Sequence, residues 1–400
     1  MIGRTFELIS IADEPFPAGS LIEDDIRYEV LARKKTAIVK IHDKDDAPQI
    51  IKLGYTTPEE IFKDIKNKKD INLNKVFVRN FSIEKYRKAN HISDDKEIIL
   101  SNFQAVNSVW VTDDKEKVKF DGCTFGSTKD EIAPRISFYN FKANCVVSFA
   151  KCKFNATHVD FVGSEVDHPL NFDAAEFSGS FDISQALIAS LIFDSAHFHE
   201  GSFRMCNCLL TGYVFDFKET DFGNMHVTFN NIEINRDMEW NWWRVKSAGS
   251  VIYVNSIIDG YLELQFSTCN ELCIQHCSIQ STLSISVKEE KTLKHLSFYQ
   301  TTNVGHIDIK NRAIVSRIDA SRAYVHEDVD SINGDLIPRV SDRNEIASQY
   351  ILLKESYANI GYYELEDYCY VKLMRHQRAG KKGVIRKTGE WFFKDLLGQY

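Results

Sequence analysis

The chain has 400 residues, 26% of them charged, and a formal net charge of −8. That acidic balance excludes the global basic field of a typical nucleic-acid binder, so any such site must be local. No run of about 18 apolar residues is present, which excludes a membrane-spanning helix within the sequence, and the opening MIGRTFELIS lacks a signal-peptide layout.

Residues 1–96 read as a β-rich N-terminal cap with one helix. Stretches 26–30, 37–41 and 49–53 alternate or run apolar, as strands do. Thr57-Pro58-Glu59-Glu60 then signals a helix start, with Thr as N-cap, Pro at the first position and acids in the first turn. The lysine-rich stretch before Asp70 ends that helix, and 71–81 returns to strand. A cap is expected because an open solenoid end exposes unpaired strands.

Residues 97–322 carry a recurring phrase: large, two residues, small, one residue, large. It reads Phe120-Cys123-Phe125, Phe149-Cys152-Phe154, Phe172-Ala175-Phe177, Phe193-Ala196-Phe198 and Phe217-Thr220-Phe222. Copies starting at 149, 172 and 193 are 23 and 21 residues apart. Weaker copies at Phe161, Phe181 and Phe203 fill the half-period, and Tyr253, Leu264 and Ile274 carry it onward. A coil of roughly 20–24 residues is a solenoid period. Short strands between Asn, Asp, Ser and Gly turns give a mainly β fold, a right-handed parallel β-helix. The small residue has a packing reason, since two large side chains leave little room inside a narrow coil. On these residues the repeat resembles the pentapeptide-repeat family, with irregular turns breaking its five-residue runs.

The nine cysteines sit mostly at the small inward positions, which points to reduced thiols in a cytoplasmic setting. Cys269, Cys273 and Cys277 fall on the coil repeat and read as packing residues, so no metal site and no cofactor are expected.

Residues 323–340, with Asn333-Gly334 and Pro338, read as a linker. In 341–400 a helix follows Ser341-Asp342, with Ile346, Tyr350, Leu353 and Tyr357 on one face. Gly361 breaks it. A second helix spans 362–378, with Tyr363, Leu365, Tyr368, Val371 and Leu373 as its larger apolar positions. The stretch from Tyr350 through Asn359-Ile360-Gly361-Tyr362-Tyr363 to Arg375 resembles a segment of bacterial membrane proteins that joins a β-helical domain to an ion-channel-like membrane domain. That resemblance implies that the chain stops where the membrane domain would begin, as a truncated soluble part. Lys372, Arg375, Arg378, Lys381, Lys382, Arg386 and Lys387 form a basic run without acids. Beside a membrane it would meet anionic headgroups, on the cytoplasmic side of the inner membrane; otherwise it is a solvated face.

No phosphate loop, nucleophile elbow or zinc-protease motif is present, and no enzyme is expected. Asp160, Asp167, Asp173 and Asp182 imitate the acidic clusters of polysaccharide-cleaving β-helices, but Asp after Phe is also the turn residue of the repeat. The strongest binding candidate is residues 235–246. Trp240, Trp242 and Trp243 lie beside Arg236, Arg244 and Lys246. In a strand, Trp240 and Trp242 share one face and Trp243 the other, which leaves an indole outside. Exposed aromatics next to cations stack bases and hold phosphates of single-stranded nucleic acid. Alternatively, the indoles plug a wide coil.

Repeat, tail and Trp–Arg cluster together resemble the β-helical effectors of the Hailong anti-phage system. The resemblance implies a four-subunit assembly, controlled by single-stranded DNA oligomers made by a partner nucleotidyltransferase. The competing expectation is a protein-interaction scaffold that binds no nucleic acid.

Overall fold

A computed structural model of the protein describes residues 5–42, 47–94, 96–113, 117–126, 135–319 and 343–380. The repeat folds as expected into a β-solenoid of about 11 turns, with helices near the C-terminus. Phe125, Phe154, Phe177 and Phe198 occupy one register position on successive parallel strands. On the neighbouring corner the rings of Phe120, Phe149, Phe172, Phe193 and Phe217 stack at centroid distances of 4.9, 5.2, 4.9 and 5.7 Å. A third column runs through Phe138, Phe161, Phe181, Phe203, Phe229 and Tyr253. All are buried, so the interior is a continuous aromatic core.

The small residue does more than make room. Cys152 Sγ donates to the Phe120 carbonyl, Ser164 Oγ to Phe138, Thr220 Oγ1 to Phe193 and Thr301 Oγ1 to Ile274. Each reaches the coil before it. Inside a dry core this satisfies a polar side chain and ties neighbouring coils together, which explains Cys, Ser and Thr there beside Ala.

The two residues between large and small form a turn. The N–H groups of Cys123, Cys152, Ala175, Ala196 and Thr220 donate to the carbonyl three residues earlier. Gly122, Lys151, Ala174, Ser195 and Glu219 take φ between 52° and 69°. For the non-glycine residues that conformation costs about 1–3 kcal/mol each. It is offset by a coil-to-coil hydrogen bond, as from Lys151 N–H to the Asp173 carbonyl at 2.7 Å.

The parallel ladder begins before residue 97. Strands β1 (Thr5–Ala12), β4 (Lys35–His42) and β5 (Gln49–Thr56) are antiparallel, but β5 pairs in parallel with β6 (Val76–Arg79), and β6 with strand Val109–Val111. The cap and the solenoid therefore share one sheet. Hairpin β2 (Gly19–Glu23) and β3 (Ile26–Val30) lies on the outer face, packing Leu21, Tyr28 and Val30 against Val106, Tyr139 and Val162. Helix α1 (Pro58–Lys66) starts at the capping box of Thr57 and Glu60, as the sequence signals. A second helix, α2 (Ile83–Ala89), departs from the single helix expected in the cap; its seven residues are too few to show a full periodic stripe.

The C-terminal end is closed by helices. After the short α3 (Arg312–Val315), helices α4 (Arg343–Ile360) and α5 (Tyr363–Gly380) pack together, separated at Gly361 with φ +73°. The α4 residues Tyr350, Leu353 and Tyr357 are fully buried, as their spacing predicts. On α5 the pattern departs from the sequence reading: Tyr363 is 70% exposed, and Cys369 takes the buried position beside Leu365 and Leu373. Among the described residues no helix is long and apolar enough to cross a membrane. The linker expected at 323–340 lies outside the described residues.

Candidate ligand-recognition site

In the coil after Phe217 and Phe222 indoles replace phenyl rings. Trp242 continues the phenylalanine column, 5.2 Å from the Phe217 ring, and is 1% exposed. Trp240 packs on Phe215 and donates its Nε1–H to the Tyr253 hydroxyl at 3.2 Å. Both indoles are core residues. The phrase simply recurs as Trp242-Trp243-Arg244-Val245, with Val245 fully buried at the small position and Arg244 in the left-handed turn position at φ +58°.

Trp243 therefore occupies the outward corner that Asp121, Asp173 and Asp194 fill in earlier coils. It is 37% exposed. The Arg244 guanidinium lies 4.2 Å and the Lys218 ammonium 5.8 Å from its ring centre. Both cations lie within cation–π distance of the indole. The geometry brings Lys218, Trp243 and Arg244 together at the outward corner, while Trp240 and Trp242 are buried at the base of the adjoining groove.

Each cation of the cluster has a carboxylate partner. Arg244 pairs with Glu219 at 3.5 Å, Lys246 with Asp221 at 3.7 Å, Lys218 with Asp194 at 3.2 Å and Arg236 with Asp259 at 3.2 Å. The Asp194 hydrogen bond moves the Lys218 ammonium pKa up, keeping it charged. Such exposed pairs are weak, so a polyanion can exchange them cheaply, but they cancel the local field. Beside Trp243 runs a groove of 490 Å³, whose lining includes Tyr261, Asn241 and the carboxylates Glu239 and Glu263. The site has one cationic flank and one acidic flank. Aligning Phe217 with Trp242 in the repeat puts Lys218 at the corner one coil before Trp243.

Among the described members of the basic run at the tail, Lys372 and Arg378 do not present a free outward face. Lys372 pairs with Asp319 at the end of the solenoid, and burial holds its ammonium pKa below the usual lysine range. Arg378 is 8% exposed. Both are turned inward because α5 packs against the solenoid end, and of the described members only Arg375 is exposed. Lys381, Lys382, Arg386 and Lys387 lie outside the described residues.

The four acids of the sequence reading stand on separate strands or corners. Asp160 and Asp182 are register neighbours on adjacent strands. Asp160 is 1% exposed, accepts from Ser137 Oγ at 3.1 Å and pairs with Arg135 at 3.2 Å; burial pushes its carboxyl up to about 7. Asp167 lies in strand Glu165–Asn171, and burial pushes it up to about 6. Asp173 sits at a coil corner. The three cysteines at 269, 273 and 277 are buried and form no disulfide, and Cys277 Sγ donates to the Tyr253 carbonyl, the packing role of the repeat.

Comparison with known proteins finds no matching family, no matching curated protein and no matching solved structure.

Proposed function

We propose that the chain is a recognition module, the sensing arm of a bacterial anti-phage membrane effector, that binds single-stranded DNA oligomers at Trp243. The observation that supports this reading is the outward indole at a coil corner, with the Arg244 guanidinium 4.2 Å and the Lys218 ammonium 5.8 Å from its ring centre. A base stacks on such an indole with about 1–3 kcal/mol, and the two cations reach the flanking phosphates by exchanging Glu219 and Asp194. Repetition of the coil gives a rigid surface along which an extended strand can lie. The effector role, with its four-subunit assembly and partner nucleotidyltransferase, draws on the tail residues 350–375 and on the repeat.

The test is a titration with short labelled oligodeoxynucleotides at low salt, using the intact chain and Trp243→Ala. Salt-sensitive binding weakened in the variant is the expected result. The absence of binding by the intact chain removes the reading.

A second reading, a protein-interaction scaffold, is favoured by one observation: the cations of the cluster are already paired, and the adjoining groove carries Glu239 and Glu263. It expects no oligonucleotide affinity even at low salt.

A further inference from the structure

A second cavity, of 640 Å³, lies where the N-terminal sheet folds over the outer face of the first coils. The fold-over is visible at Phe6 of β1. This residue is buried with Phe77, Val109 and Val111 of the coils, and the Lys142 ammonium stands 5.8 Å from its ring. The apolar part of the cavity wall is made by Phe16, Ile51 and Leu53 from the cap and Val109 from the solenoid, beside the polar Gln49 and Asn107.

Three lysines reach this cavity. Lys52 pairs with Glu14 at 3.1 Å, and Lys142 pairs with Glu165. Lys75 differs: it is half-buried on the solenoid side and has no ion pair among the described residues. Its backbone takes φ +53° and donates to the Val106 carbonyl, so its position is fixed by the ladder. Asn107, Asn140, Asn207 and Asn231 adopt the same left-handed turn on later coils, where Asn is a usual choice. A lysine there gains nothing conformationally. A half-buried ammonium that reaches a cavity without an ion pair among the described residues can take a bound anion as its partner.

We propose that this cavity binds a small amphipathic anion. Its carboxylate, sulfonate or phosphate pairs with Lys75, and its apolar body lies against Phe16, Ile51 and Leu53. The volume falls within the range of small-molecule pockets, roughly 300–1,000 Å³. This site is independent of Trp243.

The test titrates the full chain with anilinonaphthalene sulfonate, an anionic amphiphile, and with the neutral phenylnaphthylamine. Saturable one-to-one sulfonate binding is expected, about 10-fold or more weaker in Lys75→Met, because a hydrogen bond to a charged group is lost. Lys75→Arg should retain binding, and Gln49→Trp, placed on the exposed rim, should block it. Equal sulfonate affinity in Lys75→Met, or equally tight binding of the neutral probe, overturns the proposal. If Lys75→Met fails to fold by circular dichroism, unimpaired binding by Gln49→Trp overturns it instead. Sedimentation with phosphatidylglycerol vesicles separates the two sources of such an anion. Lys75-dependent vesicle binding without binding of the free probe would overturn the small-molecule form in favour of a lipid headgroup.

Discussion

Ser356 and Ile307 exchange two hydrogen bonds: the Ile307 N–H donates to Ser356 Oγ at 2.7 Å, and the Ser356 hydroxyl donates to the Ile307 carbonyl at 3.1 Å. A helix side chain thus stands in for the backbone of the coil that would come next. Gln349 Oε1 does the same for the Phe298 N–H at 2.7 Å, and the Tyr357 hydroxyl for the Ile309 carbonyl at 2.6 Å. Helix α4 terminates the ladder by satisfying buried groups that would otherwise be orphaned.

Ser356→Ala leaves both Ile307 groups without that partner. We expect a loss of about 1–3 kcal/mol, read as a lower denaturation midpoint, with Gln349→Ala additive only in part because the two residues share one helix. No change in the midpoint for either variant would mean that α4 closes the end by apolar contact alone.

The two neighbouring indoles should separate cleanly. Trp242→Ala removes a core ring and is expected to cost about 3–5 kcal/mol. Trp243→Ala should leave stability within about 0.5 kcal/mol while weakening DNA binding. Thermal melts and a binding titration on the two single variants check this, whereas a double variant would mix the effects.

Glu219→Gln frees Arg244 from its partner. Under the nucleic-acid reading it tightens oligonucleotide binding. The logarithm of affinity should fall with the logarithm of salt at a slope of about −1 to −2, as two phosphate contacts on a single strand require. Under the scaffold reading this variant changes nothing in the same assay.

Asp160 and His158 oppose each other in pH. Burial raises the Asp160 carboxyl to about 7, so its contribution is full below the ordinary 3.8 and is lost as pH rises through 7. Burial lowers His158 to about 4, so its contribution is present above 6.5 and is lost as pH falls toward 4. Wild-type stability relative to Asp160→Asn should therefore increase from pH 7.5 to 4.5, and relative to His158→Gln should decrease. Denaturant midpoints at those two pH values give the signs, and a shift of the same sign for both variants would contradict the assignment.

The nine cysteines are buried and form no disulfide, and burial raises thiols such as Cys208 and Cys369 to about 12. We expect negligible labelling by a thiol-selective reagent in the native protein, and labelling of all nine once it is unfolded. Rapid native labelling at Cys206 or Cys273, which point away from the aromatic core, would show that the outer face opens.

The solenoid was legible in the sequence because a coil-to-coil stack needs the same side chain at the same place every turn. Phe149, Phe172 and Phe193 announce one another at spacings of 23 and 21 residues, and Thr57 with Glu60 announces a helix start. The outward corner of Trp243 followed from the alternation of a strand. What the sequence did not reveal depends on partners distant along the chain. Lys372 and Arg378 read as a free basic face until α5 is seen packed on the solenoid end. The cations around Trp243 look unpaired until Glu219 and Asp221 are placed one coil away. Period and turn chemistry are local properties, written in consecutive residues. Which charges meet, and which helix seals which edge, is decided only when chain segments tens of residues apart are stacked.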